Sequence, residues 1–183
     1  MALLTDESVQ TIRSLAERYP DPRSALLPAL HIAQNQLGWV SGEAMEEVGN
    51  ALGIEPDQVQ EVATFYSMYY TKPVGTYVLE VCKTAPCSFM GADEIIEYIS
   101  QKLGITPGET TPDGMFTLLK VECLAACHRA PMMQVNHRYY QDLTPSKVDD
   151  LIEAARQQQL RAEHLPGFNI RHDWSETVEA DVT

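Results

Sequence analysis

The four cysteines of this 183-residue chain are its only thiols, and they fall into two tight pairs. Cys82 and Cys87 sit in VCKTAPC, and Cys123 and Cys127 in VECLAACHRAP, with 35 residues between the pairs. Buried cysteines acting as small hydrophobes would be scattered rather than paired. Disulfides need an oxidising compartment. The opening MALLTDESVQ argues against one, because it carries Asp6 and Glu7 and has neither the basic nor the apolar region of a secretory signal. Thiol–disulfide exchange uses a Cys-x-x-Cys pair poised for attack, and neither pair has that spacing. Metal binding remains, by two routes.

A structural zinc site of four cysteines usually draws on Cys-x2-Cys knuckles that grip one tetrahedral ion. The wider x4 and x3 loops suit a binuclear centre better, with each pair of thiolates on a different iron. A 2Fe–2S cluster is ordinarily held by four cysteine thiolates. A Rieske centre would replace two of them by histidine, whereas His128 merely follows Cys127. The plant-type pattern Cys-x4-Cys-x2-Cys differs as well, since it places three ligands in one loop. Spacing therefore favours 2Fe–2S and leaves zinc as the alternative.

The surrounding elements must bring the pairs together. Residues 1–72 read as an N-terminal four-helix bundle. Val9, Ile12, Leu15, Ala16 and Tyr19 share the face of the first helix. Ser24 is the expected cap of a second helix with Pro28 in its first turn, and a third runs from a cap at Ser41 to Gly53. A fourth begins near Pro56 and turns Val59, Val62, Ala63 and Tyr66 inward. After TKPVG the pattern changes, and residues 73–159 read as a small α/β domain. Strands are expected at YVLEVC (77–82) and FTLLKVEC (116–123), with a helix over 91–104 whose apolar side is Ile95, Ile96, Ile99 and Leu103. A hairpin turning at Asn136-His137 follows, then a last helix capped by Thr144. Residues 160–183 form a tail, extended or ordered against a partner, in which Glu176, Glu179 and Asp181 are acidic. The formal charge of −13 argues against nucleic acid, and no apolar run approaches the roughly 18 residues that cross a bilayer.

The run DGMFTLLKVECLAACHRAP (113–131) resembles the signature of the small 2Fe–2S subunit, known as the E subunit, of respiratory NADH:quinone oxidoreductase (complex I). The matching positions are Asp113, Phe116, Thr117, Cys123, Leu124, Cys127, Ala130 and Pro131. VATFYSMYYTKPVG (62–75) is similar to the family's junction between helices and cluster domain, and the likeness extends over roughly residues 8–158. Ala125 departs from the pattern, standing where the family usually has glycine. If that position needs a positive φ, alanine there carries strain; if glycine serves close approach to sulfide, the methyl alters the packing instead.

The resemblance implies a thioredoxin-like 2Fe–2S domain, one cluster, and Cys82, Cys87, Cys123 and Cys127 as its iron ligands, with no catalytic residue in this chain. Pro131 occupies a place where thioredoxin folds often have a cis-proline. A hydride carries two electrons and a 2Fe–2S cluster accepts one, so a flavin must divide them. The chain has no G-x-G-x-x-G after a strand and no Walker loop. That agrees with the family's arrangement, in which a partner flavoprotein subunit carries FMN, the NADH site and a 4Fe–4S cluster, and further complex I subunits complete the assembly. The implied role is single-electron exchange with that FMN, by a non-catalytic redox subunit. Its place is cytoplasmic, peripheral to the inner membrane of a bacterium. The equivalent subunit of an NAD-linked hydrogenase or formate dehydrogenase is the rival within the class, and a zinc-stabilised adaptor the rival outside it. Lys83, Arg129 and the helix N-terminus near Gly91 are candidates to tune the cluster. Both cations read rather more readily as solvated surface charges, His128 reads as exposed, and Met90, Met132 and Met133 read as packing.

Overall fold

The structure, a computed structural model, describes residues 2–160. Helix α1 (Asp6–Ala16) starts where Thr5 accepts a hydrogen bond from the Ser8 amide, and Asp6 and Glu7 complement the dipole of its first turn. Helix α3 (Gly42–Leu52) is capped in the same way by Ser41 and ends at Gly53, whose φ of 69° suits a residue without Cβ. Helix α4 (Pro56–Phe65) opens on proline, whose missing N–H would be unpaired there in any case. Helix α2 (Leu26–Leu37) completes the set. These four helices share one apolar core that includes Ile12, Leu15, Leu30, Ala33, Val48 and Val59.

Three local expectations fail in this region. Ser24 is not a cap: Asp21 accepts from the Arg23 amide and opens a 3₁₀ turn over Pro22–Ala25, so α2 starts at Leu26 with Pro28 still in its first turn. Tyr19 lies beyond the end of α1 and is exposed. Tyr66 sits just after α4 in extended backbone and is exposed too, because the helix stops before its side chain can turn inward.

The second half is built on a four-stranded mixed sheet in the order β2-β1-β3-β4, from β1 (Tyr77–Cys82), β2 (Phe116–Val121), β3 (Met133–Val135) and β4 (Arg138–Tyr140). β2 runs parallel to β1, while β3 is antiparallel to β1 and to β4. Two helices, α5 (Ala85–Phe89) and α6 (Ala92–Leu103), form the crossover a parallel pair requires, and α7 (Pro145–Arg156) closes the described chain after a cap at Thr144. Strand alternation puts Tyr77, Leu79 and Val81 on one face, in a core with Ile95, Ile96 and Ile99 of α6 and Val148 and Ile152 of α7. Leu103 is only half-buried at the rim of that core. Asn136 and His137 make the β3–β4 turn, both at positive φ (47° and 67°). The Asn136 side chain also ties down β1: its Oδ1 accepts from the Val78 amide and its Nδ2 donates to the Thr76 carbonyl, each at 2.8 Å.

The helices are joined to the sheet through residues 66–76. Gln34, wholly buried, donates to the Met68 carbonyl at 2.9 Å and accepts from the Tyr70 amide at 2.7 Å, and the Tyr70 ring stacks on His137. Gly75 then passes so close to β2 that a Cβ would lie 2.9 Å from the Phe116 backbone. Only glycine permits that approach.

Candidate metal centre

Parallel pairing decides where the thiols meet. Cys82 is the last residue of β1 and is paired in register with Val121, the last residue of β2, so the loops leaving both strands emerge at the same edge. The second strand ends two residues earlier than its apolar pattern indicates, and Cys123 lies in the loop beyond it. The first pair also differs from the expectation of a plain loop: Cys87 is held in α5, a five-residue helix that the sequence pattern did not mark. Thr84 and Ala85-Pro86 ahead of it form a cap-and-proline start, the signal that could have found it.

The two pairs differ in environment. Cys82 and Cys87 are buried, packed with Ala92 at the start of α6, Ala126 and Met132. Cys123 and Cys127 are exposed. Their Sγ atoms are 3.6 Å apart, far beyond the ~2.05 Å of a disulfide. That separation suits two thiolates on one metal atom: bonds of about 2.3 Å put tetrahedral sulfurs about 3.8 Å apart. Among the described residues, no three His, Cys, Asp or Glu side chains converge on a single-ion site. Two thiol pairs at one sheet edge are the kind of donor set that a four-thiolate 2Fe–2S cluster takes.

Local backbone aims hydrogen bonds at the sulfurs. Ala125 has φ of 64°, so its position does demand the left-handed conformation, and its amide donates to the Cys123 Sγ at 3.3 Å. The Thr84 hydroxyl lies 3.2 Å from the Cys82 Sγ. On the far side of the loop, the Tyr139 hydroxyl donates to the Leu124 carbonyl at 2.7 Å, and the Cys82 amide donates to the Met132 carbonyl at 3.2 Å. The Ala130–Pro131 bond is cis.

These contacts split each pair. Burial pushes the Cys82 thiol up, but the Thr84 hydroxyl and amide, the Leu124 amide and the Cys87 thiol outweigh it and bring its pKa below the ordinary value. Burial, then the neighbouring Cys82, raises Cys87 to about 11. In the second pair the Ala125 amide and the Cys127 thiol lower Cys123, while Cys123 raises Cys127. In each pair one thiol is lowered and its partner raised, and each pair acts on the other. Metal binding takes the thiolate forms, so an ion bound here would displace the thiol protons.

The other candidates separate clearly. Lys83 is exposed and paired with Glu122 at 3.0 Å, and Arg129 with Asp142 at 2.6 Å, so a carboxylate offsets each cation. His128 is exposed. Met132 and Met133 are buried, but Met90 is 61% exposed and Phe89 beside it 88%, which overturns the expectation that Met90 packs. Gly91, at φ 91°, precedes α6, and Ala92 packs against the buried thiols. Two polar residues near the thiols, Thr84 and Glu80, carry no metal-site motif in the sequence. Glu80 is the one charged residue in YVLEVC; it is buried on the Cys82 face of β1, its pKa raised by burial, and hydrogen-bonded by Gln134. Glu176, Glu179 and Asp181 lie outside the described residues.

The thioredoxin-like [2Fe-2S] ferredoxin family matches this chain over residues 12–156. The chain belongs to that family. Its fold is accordingly a mixed α/β thioredoxin-like one, and the group the family carries, a single 2Fe–2S cluster, is the one that this donor set fits. An E subunit of NADH-quinone oxidoreductase from Rhizobium meliloti is 45% identical over 147 residues, covering 80% of this chain and 88% of the relative. NADH-quinone oxidoreductase subunit 2 of Thermus thermophilus is 39% identical over 166 residues, covering 88% and 92%. Among solved structures, an air-oxidized NAD+-reducing [NiFe]-hydrogenase superposes with a TM-score of 0.64 at 25% identity, over 73% of this chain. The chain spans only 23% of that hydrogenase chain. Among the described residues no helix is long and apolar enough to cross a membrane.

Proposed function

We propose that this chain is the electron-transfer subunit of an NADH-quinone oxidoreductase, exchanging single electrons between its 2Fe–2S cluster and the FMN of a partner flavoprotein subunit. In this reading Cys82 and Cys87 hold one iron and Cys123 and Cys127 the other. The observation that carries it is the convergence of two thiol pairs at the common edge of β1 and β2, with 3.6 Å between the Sγ atoms of the second pair. When bound, the cluster supplies a one-electron acceptor that two-electron hydride chemistry cannot use without a flavin. The chain's own residues do the remaining work: Ala125 and Leu124 amides face the thiolates, and Met132 and Ala126 keep water from the inner pair.

A partner is supported by the outer pair's exposure and by Phe89 and Met90 beside the inner pair, large apolar side chains that cost free energy in water. Residues 1–72, as a four-helix bundle, would dock the larger assembly and 73–159 would hold the cluster, while the tail expected over 160–183 lies, beyond Leu160, outside the described residues. The assembly would lie on the cytoplasmic side of the inner membrane, peripheral to it. Identity of 39–45% over most of the quinone oxidoreductase relatives, against 25% over 23% of the hydrogenase chain, favours the former parent complex.

The test is the purified chain's metal content and spectrum. Two irons and two acid-labile sulfides per chain, with a binuclear EPR signal on reduction, are expected. Substituting any of the four cysteines by alanine is expected to abolish the signal. A colourless, iron-free, zinc-loaded protein refutes the redox reading, and co-purification with a hydrogenase flavoprotein refutes the parent complex.

A further inference from the structure

Among the described residues, four helices begin at a serine or threonine held in extended backbone just before the first turn. Thr5 (φ −68°, ψ 154°), Ser41 (−76°, 168°) and Thr144 (−132°, 160°) each accept a hydrogen bond from the amide three residues on. Thr84 stands before α5 with nearly the Ser41 backbone (−74°, 164°), yet its side chain caps nothing. The difference is the hydroxyl's destination. It lies 3.2 Å from the Cys82 Sγ. A side chain that elsewhere satisfies a helix N-terminus is here turned onto sulfur.

We infer that Thr84 sets the reduction potential of the cluster by donating its hydroxyl proton to the ligand sulfur of Cys82. The inference rests on the assignment of the four cysteines as ligands. A metal-bound thiolate carries no proton and can only accept, so the donor must be the hydroxyl. Reduction adds one negative charge to a centre already anionic, and a hydrogen bond to a charged acceptor strengthens as that charge grows. The hydroxyl therefore favours the reduced form. Lys83 and Arg129 do less of this because Glu122 and Asp142 offset them.

The experiment compares Thr84→Val, Thr84→Ala and Thr84→Ser in the full chain, reading iron content and an EPR-monitored redox titration. Valine keeps the branched shape and removes only the hydroxyl, and α5 loses no cap bond because it has none from this side chain. At wild-type iron content, Thr84→Val and Thr84→Ala are expected to lower the reduced-to-oxidised ratio at fixed ambient potential about tenfold, a shift of about 59 mV to more negative values. Thr84→Ser is expected to titrate as wild type. An unchanged potential in Thr84→Val, or a Thr84→Ser potential that shifts equally, overturns the inference. Loss of iron in both hydroxyl-free variants but not in Thr84→Ser overturns it as well, and assigns Thr84 to cluster assembly. A wild-type chain without a 2Fe–2S signal fails the ligand assignment itself, a result distinct from all of these.

Discussion

Ala125 places an L-residue where the chain needs a left-handed one. At φ of 64° its Cβ is crowded against the following carbonyl, at a cost of roughly 1–2 kcal/mol. Glycine would remove that crowding but lose more conformational freedom on folding, by about 0.4–1 kcal/mol. The Ala125 methyl is exposed, so deleting it forfeits little burial. The amide that donates to the Cys123 Sγ depends on the backbone and survives the change. Ala125→Gly is therefore expected to stabilise the fold by about 0.5–1 kcal/mol. With a urea m-value of about 2 kcal/mol/M, the midpoint rises by about 0.3–0.5 M. Ala125→Val, branched at Cβ, is expected to move the other way by at least as much. Urea titration followed by far-UV circular dichroism measures both. A glycine variant less stable than wild type, or a valine variant equal to it, would refute this account of the turn, because the loop would then not hold residue 125 at positive φ.

Three further outcomes follow from buried polar groups. Gln34→Leu removes both hydrogen bonds that hold residues 68–70, leaving the Tyr70 amide without that acceptor, and should cost about 2–4 kcal/mol in a urea titration. Asn136→Ala removes the two side-chain bonds from the β3–β4 turn to Val78 and Thr76, with a loss of about 2–4 kcal/mol expected and faster amide exchange at Val78. His31 is packed against Tyr69 with an unpartnered buried Nδ1, and burial lowers its pKa. The unfolded chain thus binds that proton more readily than the folded one, so the stability from His31 is complete above about pH 6.5 and is lost as pH falls below it. His31→Phe should reduce the stability lost between about pH 7 and about pH 5.5, and equal pH slopes for the two proteins would refute the assignment.

Much of the sheet was legible because its signals are local. YVLEVC is a short apolar run with β-branched valines, and its limits agree with β1. Asn136-His137 is a two-residue turn between apolar runs, and the hairpin is there. The failures share a physical cause as well. At Ser24 a competing cap, Asp21, started a 3₁₀ turn ahead of the expected helix start, and at Tyr19 and Tyr66 the apolar pattern continued past the end of the helix. α5 is one turn long, too short for periodicity to reveal. The thiol pairs were visible as pairs, but which was buried depended on Met132 and Ala126 arriving from other parts of the chain. Glu80 and Thr84 stayed hidden because each is an ordinary polar residue until the fold sets Gln134 or the Cys82 Sγ against it.

The long interval between the pairs has a topological origin rather than a chemical one. A metal centre needs its ligands close in space and sets no requirement on the chain between them. Two strands whose C-terminal ends meet at one edge must be parallel, and a parallel pair must be joined by a crossover that returns the chain to the starting edge. Here α5, α6 and the loop from Thr106 to Gly114 make that return, and they occupy most of the residues between Cys87 and Cys123. The short intervals answer to local geometry instead. Between Cys123 and Cys127 the chain must reverse so that both side chains point to one place, and it does so with one left-handed residue, Ala125, and a 3₁₀ turn starting at Cys127. Between Cys82 and Cys87 the chain must leave a strand and enter a helix within five residues, and Thr84 is where it turns. The residues at those two turns, Ala125 and Thr84, are also the ones whose amide and hydroxyl reach the sulfurs. In both loops the bend that gathers the thiols also supplies their hydrogen bonds, so a substitution at either turn acts on geometry and electrostatics together.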